Sequence, residues 1–324
     1  MATRRSHPPT LETIVRGTLR QEGVPVPGST VLVAVSGGPD SMALLHVLAR
    51  LAPRLGFTVR AHGVDHGLRA EASEELQLAA TLAAGLGVAM TTSVLSVAPG
   101  GNLQARARQA RLGALRGEAR RVGAAWIATG HHADDRAETV LMRLLQGSGP
   151  RGLGCLPVRD GDLVRPMLRA RRQDVEAHLA RHGVPYASDP SNKNSRFVRV
   201  RIRHEVMPLL EAMSPSVVAH LNALADELIE ARESFESELN RAQRAQVKAA
   251  ARSGRAGVNV KMKQGREVWV AVAQGEAMLS LSKLGQTRGQ VVTRSSTPGP
   301  ADGTLSRELS TPTARTLGSA KGRP

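Results

Sequence analysis

The stretch V-L-V-A-V-S-G-G-P-D-S-M-A-L-L-H-V-L runs from Val31 to Leu48. It opens as a β-type apolar run, passes through six small or polar residues, and continues with apolar side chains at helical spacing. A strand that becomes a helix through two glycines is a ready anion site. The first helical N–H groups lack intrahelical partners, and the helix dipole adds positive potential at the same point. Gly37 and Gly38 permit close backbone approach, Ser36 and Ser41 supply hydroxyls, and Pro39 pre-sets the first helical turn. A phosphate cradle is predicted over Ser36, Gly37, Gly38, Pro39, Asp40 and Ser41.

The loop that serves γ-phosphoryl transfer needs a lysine in the turn to draw charge from the β and γ phosphates. None is present, and the next lysine in the chain is Lys193. The expected chemistry is therefore adenylyl transfer, in which the cradle holds pyrophosphate as a leaving group.

Outward from this stretch, apolar and amphipathic runs alternate from residue 30 to about 146, the pattern of βαβ units around a parallel sheet. Strands are expected at 31–35, 58–64, 90–97 and 124–130, and helices at about 40–52, 71–86, 103–122 and 134–146. Ligands of such α/β sheets bind at the carboxyl ends of the strands. S-G-G-P-D-S, D-H-G-L-R (65–69) and G-H-H-A-D-D (130–135) all follow strands, so they should converge on one crevice. Residues 147–166 are rich in Gly and Pro and read as a loop, followed by a short helix near 171–182. In R-F-V-R-V-R-I-R-H (196–204) three arginines alternate, and an extended strand would line up Arg199, Arg201 and Arg203 as one basic stripe for phosphate. Three segments are expected: a catalytic domain over 1–215, a small, mainly helical domain over 216–290, and a basic, disordered tail over 291–324.

Composition bounds the partners. The net charge is +16, and residues 241–324 carry 15 Lys or Arg against 4 Asp or Glu, which favours a polyanion. Cys155 is the one cysteine, so a Cys-x-x-Cys metal or redox pair is excluded and a reducing, cytoplasmic setting is expected. The basic N-terminus has no apolar run behind it, and the most apolar stretch, 76–90, is shorter than the ~20 residues a spanning helix needs. No membrane association is expected. Aromatic residues make up 2% of the chain, too few for a stacking platform, so recognition of nucleic acid would rest on charge, shape and hydrogen bonds.

S-G-G-P-D-S resembles the loop motif of the N-type ATP pyrophosphatases, which activate substrates by adenylation. H-G-V-D-H-G-L-R (62–69), A-R-Q-A-R (107–111), T-G-H-H-A-D-D-R-A-E-T-V-L-M-R-L-L-Q-G-S-G (129–149), R-P-M-L (165–168), S-D-P-S-N (188–192) and R-V-R-I-R-H-E-V-M-P-L-L (199–210) are similar to signatures of the tRNA(Ile)-lysidine synthases. The resemblance covers about 30–210. It implies a Rossmann-like adenine nucleotide α-hydrolase (PP-loop) domain followed by a small helical domain. It implies ATP and Mg²⁺, with L-lysine and tRNA(Ile) bearing a CAU anticodon as partners, and leaves the oligomeric state open, a homodimer included. In the family's scheme C2 of the wobble cytidine is adenylated and the lysine ε-amine then displaces AMP. Most of the sulfur-transferring members of the superfamily rely on cysteine pairs, which this chain lacks.

Candidate site residues follow. Asp40 is the first contact for Mg²⁺, a hard cation that prefers carboxylate and phosphate oxygens, or else a cap of its helix. His131, His132, Asp134, Asp135 and Glu138 cluster after the fourth strand, and Asp135 and Glu138, three apart, share a helix face. The carboxylates suit an ammonium and Mg²⁺, His132 suits a proton acceptor, and Asp134 either joins Glu138 in binding substrate or is the N-cap of the helix. Arg108 and Arg111, by the family match, hold ATP or tRNA phosphate, although Leu112 stands where the family usually has tyrosine. His66, Arg201 and Arg203 complete the substrate-binding set, with Val200 in place of the family's usual asparagine.

Overall fold

A computed structural model describes residues 9–65, 71–95, 103–187, 198–252, 257–261 and 267–271. The elements run α1 (Leu11–Gln21), β1 (Thr30–Val35), α2 (Pro39–Leu55), β2 (Thr58–Asp65), α3 (Glu71–Gly85), β3 (Ala89–Val94), α4 (Leu103–Arg121), β4 (Ala124–Ala128) and α5 (Ala133–Leu145). Then come α6 (Pro150–Leu153), β5 (Arg159–Asp160), β6 (Leu163–Val164), α7 (Arg172–His182), α8 (Val198–Arg201), a π-helical turn (Ile202–Val206), α9 (Met207–Met213) and α10 (Val217–Arg252). An antiparallel pair, β7 (Gly257–Lys261) and β8 (Glu267–Ala271), closes the described chain.

Six strands form one sheet in the order β3-β2-β1-β4-β6-β5, parallel except for β5. The chain moves outward from β1 through β2 to β3, then crosses back to place β4 on the other side of β1. That reversal opens a crevice past the carboxyl ends of β1 and β4, where loops 36–38 and 129–132 emerge.

α2 packs against α1, α3 and α7 as well as the sheet. Met42 through Leu45, Val47 and Leu48 are therefore all buried, as expected for a helix apolar on every side. α4 covers the opposite face, where Leu115 and Ala119 meet Leu32 and Ile127. A third cluster joins Ala133 and Ala137 of α5 to Ile202, Met207 and Val218.

Two expectations are corrected. The Gly- and Pro-rich segment 147–166 is not all loop: it holds α6, β5 and β6. Two-residue strands have no readable alternation: β6 buries Leu163 and Val164 beside Ile127 and Ala128, and the exposed β5 only pairs with it. The basic stripe is not extended either, since 198–213 is helical throughout. Buried Ile202 and Met207 lie five apart in one apolar cluster, and the π turn, closed by the Met207 N–H on the Ile202 carbonyl, accommodates that spacing. Tertiary burial thus overrides the β preference of V-R-V-R-I.

The chain divides into two compact units, Met1–Arg244 and Ala245–Pro324. The first turns of α10 belong to the first unit. Asn222 donates to the Ala133 carbonyl at 2.9 Å, and Asp226 accepts from the fully buried Arg136 at 2.6 Å.

Candidate active site

The S-G-G-P-D-S turn is pinned from inside by Ser41. Its hydroxyl accepts the Ser36 N–H at 3.1 Å and donates to the Gly38 carbonyl at 2.9 Å. Gly38 caps α2 and Pro39 is its first residue, so Asp40 lies inside the first turn and is not the cap. Gly37 has φ +80°, and a Cβ there would lie 2.4 Å from the Glu75 carbonyl oxygen, so only glycine fits. On the far side, a Cβ on Gly130 would lie 3.0 Å from the Asp40 carbonyl, which brings the loop after β4 against the start of α2.

This contact brings the two predicted clusters together. Asp40, His132 and Asp135 each present a ligand atom within 4.8 Å of the others. His132, not Asp134, is the N-cap of α5, and Asp135 accepts the His132 backbone N–H at 3.1 Å. Burial alone would discharge the His132 ring, but Asp134 at 3.4 Å, Asp135 at 3.4 Å and Asp40 at 3.6 Å raise its pKa above the ordinary histidine value. Burial also raises the Asp40 carboxyl, against the pull of His132. Asp135, despite burial, is lowered by His132 and Arg199. The neighbouring His131 is held neutral: burial brings its pKa down to about 4.

The residues fit a divalent cation. Two carboxylates, Asp40 and Asp135, beside a phosphate cradle are the donors Mg²⁺ prefers. Imidazole is the softer ligand, so Asp40 and Asp135 are the better Mg²⁺ contacts.

Arginines enclose the acidic side. Arg171 pairs with Asp134 at 2.9 Å and Glu211 at 2.6 Å, and the Arg172 backbone N–H donates to Asp134 at 2.7 Å. Burial notwithstanding, these contacts and His132 leave Asp134 well below the usual carboxylate range. Arg199 and Arg203, four apart on the helical segment, both reach Asp135 and Glu138, and Arg172 joins them on Glu138. Arg201 points elsewhere, exposed and paired with Glu205 at 3.0 Å, so the helix breaks the predicted stripe. Arg171, Arg172 and Gly130 carry no separate signal in the sequence. Arg199 and Arg203 had one: their spacing marks a shared face once the segment is read as a helix.

On α4, Arg111 is sheltered enough that burial lowers its pKa, and Arg108 lies within electrostatic reach of His131. Neither has an acidic partner among the described residues. His66 lies outside the described residues. Cys155 is buried, and burial pushes its thiol up.

A parallel sheet carrying this lysine-free turn at its switch point is a PP-loop nucleotide-binding domain, and the family model for the PP-loop domain matches residues 11–210. Among curated proteins, the tRNA(Ile)-lysidine synthase of Symbiobacterium thermophilum is 43% identical over 228 residues, covering 67% of this chain and 47% of that protein. The one from Thermobifida fusca is 40% identical over 219 residues, covering 67% and 68%. The chain belongs to the tRNA(Ile)-lysidine synthase family. It spans about half the length of the Symbiobacterium relative. A solved structure, the U34-tRNA thiolase NcsA from Methanococcus maripaludis, shares the fold at 18% identity and TM-score 0.59, covering 68% of this chain and 78% of that one. No helix among the described residues is long and apolar enough to cross a membrane.

Proposed function

We propose that this chain joins L-lysine to C2 of the wobble cytidine in tRNA(Ile) with a CAU anticodon, using ATP. One observation carries the reading: Asp40 of the phosphate cradle meets His132 and Asp135 at the start of α5, within 4.8 Å. The C2 oxygen attacks the α-phosphorus and pyrophosphate leaves; the lysine ε-amine then attacks C2 and AMP leaves. The resulting lysidine would read AUA instead of AUG.

The residues divide this work. The N–H groups at the start of α2 receive phosphate oxygens. Asp40 and Asp135 would hold Mg²⁺, which when bound offsets the charge of the leaving pyrophosphate. Arg108 and Arg111, without acidic partners among the described residues, are suited to nucleotide or tRNA phosphate. Asp135 and Glu138 form the seat for the lysine ammonium. The carboxylates around His132 raise its pKa, whereas burial brings that of His131 down to about 4, so His131 is the better suited of the two to accept a proton. Sulfur transfer is disfavoured, because the single cysteine is buried with its thiol pushed up.

The test is to incubate the protein with ATP, Mg²⁺, labelled lysine and CAU-anticodon tRNA, digest the tRNA, and look for lysine on a nucleoside. Incorporation that disappears in Asp40→Ala is the expected result. No incorporation by the unaltered protein, with AMP release equal to that of Asp40→Ala, would overturn the reading.

A further inference from the structure

Glu138 is 2% exposed and accepts four N–H groups at 2.7–3.1 Å. Arg203 Nε and Arg172 Nη2 reach Oε1; Arg203 Nη2 and Arg199 Nε reach Oε2. A carboxylate has about four lone-pair positions, so Glu138 has none left. Asp135 Oδ1 accepts Arg199 Nη2 at 2.8 Å and Arg203 Nη2 at 3.3 Å, and its Oδ2 accepts the His132 N–H. The seat proposed for the substrate ammonium is already filled by guanidinium groups from the same chain.

An ammonium therefore enters only as a guanidinium leaves. Leaving the buried pair empty in between is costly, because an uncompensated buried charge is far worse than a paired one. Exchange of one cation for another avoids that state. The two sides differ in the way exchange requires. Side chains of Arg199 and Arg203 are 42% and 24% exposed, whereas those of Asp135 and Glu138 are 10% and 2%. The acids are fixed in the first turns of α5, a thirteen-residue helix; Arg199 is on a four-residue helix and Arg203 in the five-residue π turn that follows it.

We propose that Arg199 and Arg203 are the resting occupants of this seat and that a primary-ammonium substrate binds there by cation exchange, displacing at least Arg199. The inference rests on the ligase reading above. It makes Arg199 a specificity-determining residue: a ligand with lysine's four-carbon side chain but no terminal ammonium, such as norleucine, cannot replace the guanidinium and is rejected.

The test uses the full, unaltered chain. Phenylglyoxal labels free guanidinium groups, and peptide mass spectrometry reads the rate at Arg199 with and without saturating lysine. Lysine should speed labelling at least threefold, and norleucine should leave it unchanged. Equal or slower labelling with lysine overturns exchange. Arg199→Met is the second probe. Its KM for lysine should fall at least threefold, and methylguanidinium should compete with lysine in the variant. A KM equal to or above that of the unaltered protein, in a folded variant, also overturns it. Lysine incorporation into tRNA is measured on the same preparation. Absence of incorporation overturns the ligase reading, whereas incorporation without faster labelling overturns the exchange alone.

Discussion

Gly130 touches the backbone of Asp40: a Cβ on the glycine would lie 3.0 Å from both the Asp40 carbonyl carbon and its oxygen. One hydrogen atom in place of a methyl group is what lets the loop after β4 close on the cradle after β1. The two halves of the site, ninety residues apart in sequence at Asp40 and Gly130, meet at this point.

Gly130→Ala should therefore separate the halves. The added methyl presses on backbone, which cannot rotate away, at an overpacking cost of about 1–3 kcal/mol. We expect a rise of at least about tenfold in the KM for ATP, an energy inside that range, with the circular dichroism spectrum retained. An ATP KM within a factor of two of the unaltered protein would show that the contact has slack.

Arg201 and Arg203 should part company. Arg201→Ala removes an exposed, solvent-screened helix pair with Glu205 and should leave the urea midpoint essentially where it is. Arg203→Ala strips two donors from the buried Glu138 and should cost about 2–4 kcal/mol. Urea denaturation of the two variants side by side checks this, and equal costs would refute the helical placement of the pair.

Asp226→Ala should destabilise the chain by about 3 kcal/mol, because it leaves the Arg136 guanidinium buried without its carboxylate. Asp226 also pairs with Arg169. The same denaturation measurement decides, with Asp226→Asn as the partial rescue.

Stability should fall as pH drops from about 6.5 towards 4. His46 Nδ1 and His178 Nε2 lie 2.9 Å apart between α2 and α7, a bond that needs a neutral ring, with His182 packed on both. Glu12 and Arg50, paired with each other, flank them. Burial lowers both pKa values, that of His178 to about 4. The unfolded chain, with histidines near 6.5, takes up protons first, so the stabilisation is complete above that pH and is lost below it. His178 alone should contribute a loss of about 2 kcal/mol between pH 7 and 5. His178→Gln should flatten this slope in denaturant titrations; an unchanged slope would exclude the cluster as its source.

Chelation of divalent ions should abolish tRNA-dependent pyrophosphate release, and Mg²⁺ should restore it. In Asp135→Asn the Mg²⁺ needed for half-maximal release should rise by roughly tenfold or more, the scale on which even outer-shell partners act on a metal site. A half-maximal concentration unmoved by this change would assign the cation to other residues.

The sequence alone determined the parts governed by local chemistry. A β run, two glycines, a proline and an apolar helix made the cradle legible. The order of apolar and amphipathic runs predicted the parallel sheet, and strands β1 to β4 lie close to their expected positions. The absence of lysine from that turn set the expectation of adenylyl rather than phosphoryl transfer. Tertiary structure decided the rest, because it depends on what each segment packs against. V-R-V-R-I alternates like a strand, yet burying Ile202 and Met207 on one side made it a helix with a π turn. That choice sent Arg199 and Arg203 inward onto Glu138 and turned Arg201 away. Likewise, α10 opens where a second domain was expected, but Asn222 and Asp226 fasten its first turns to α5. Spacing along a chain shows which side chains share a face only after the helix or strand is known, and here burial made that choice.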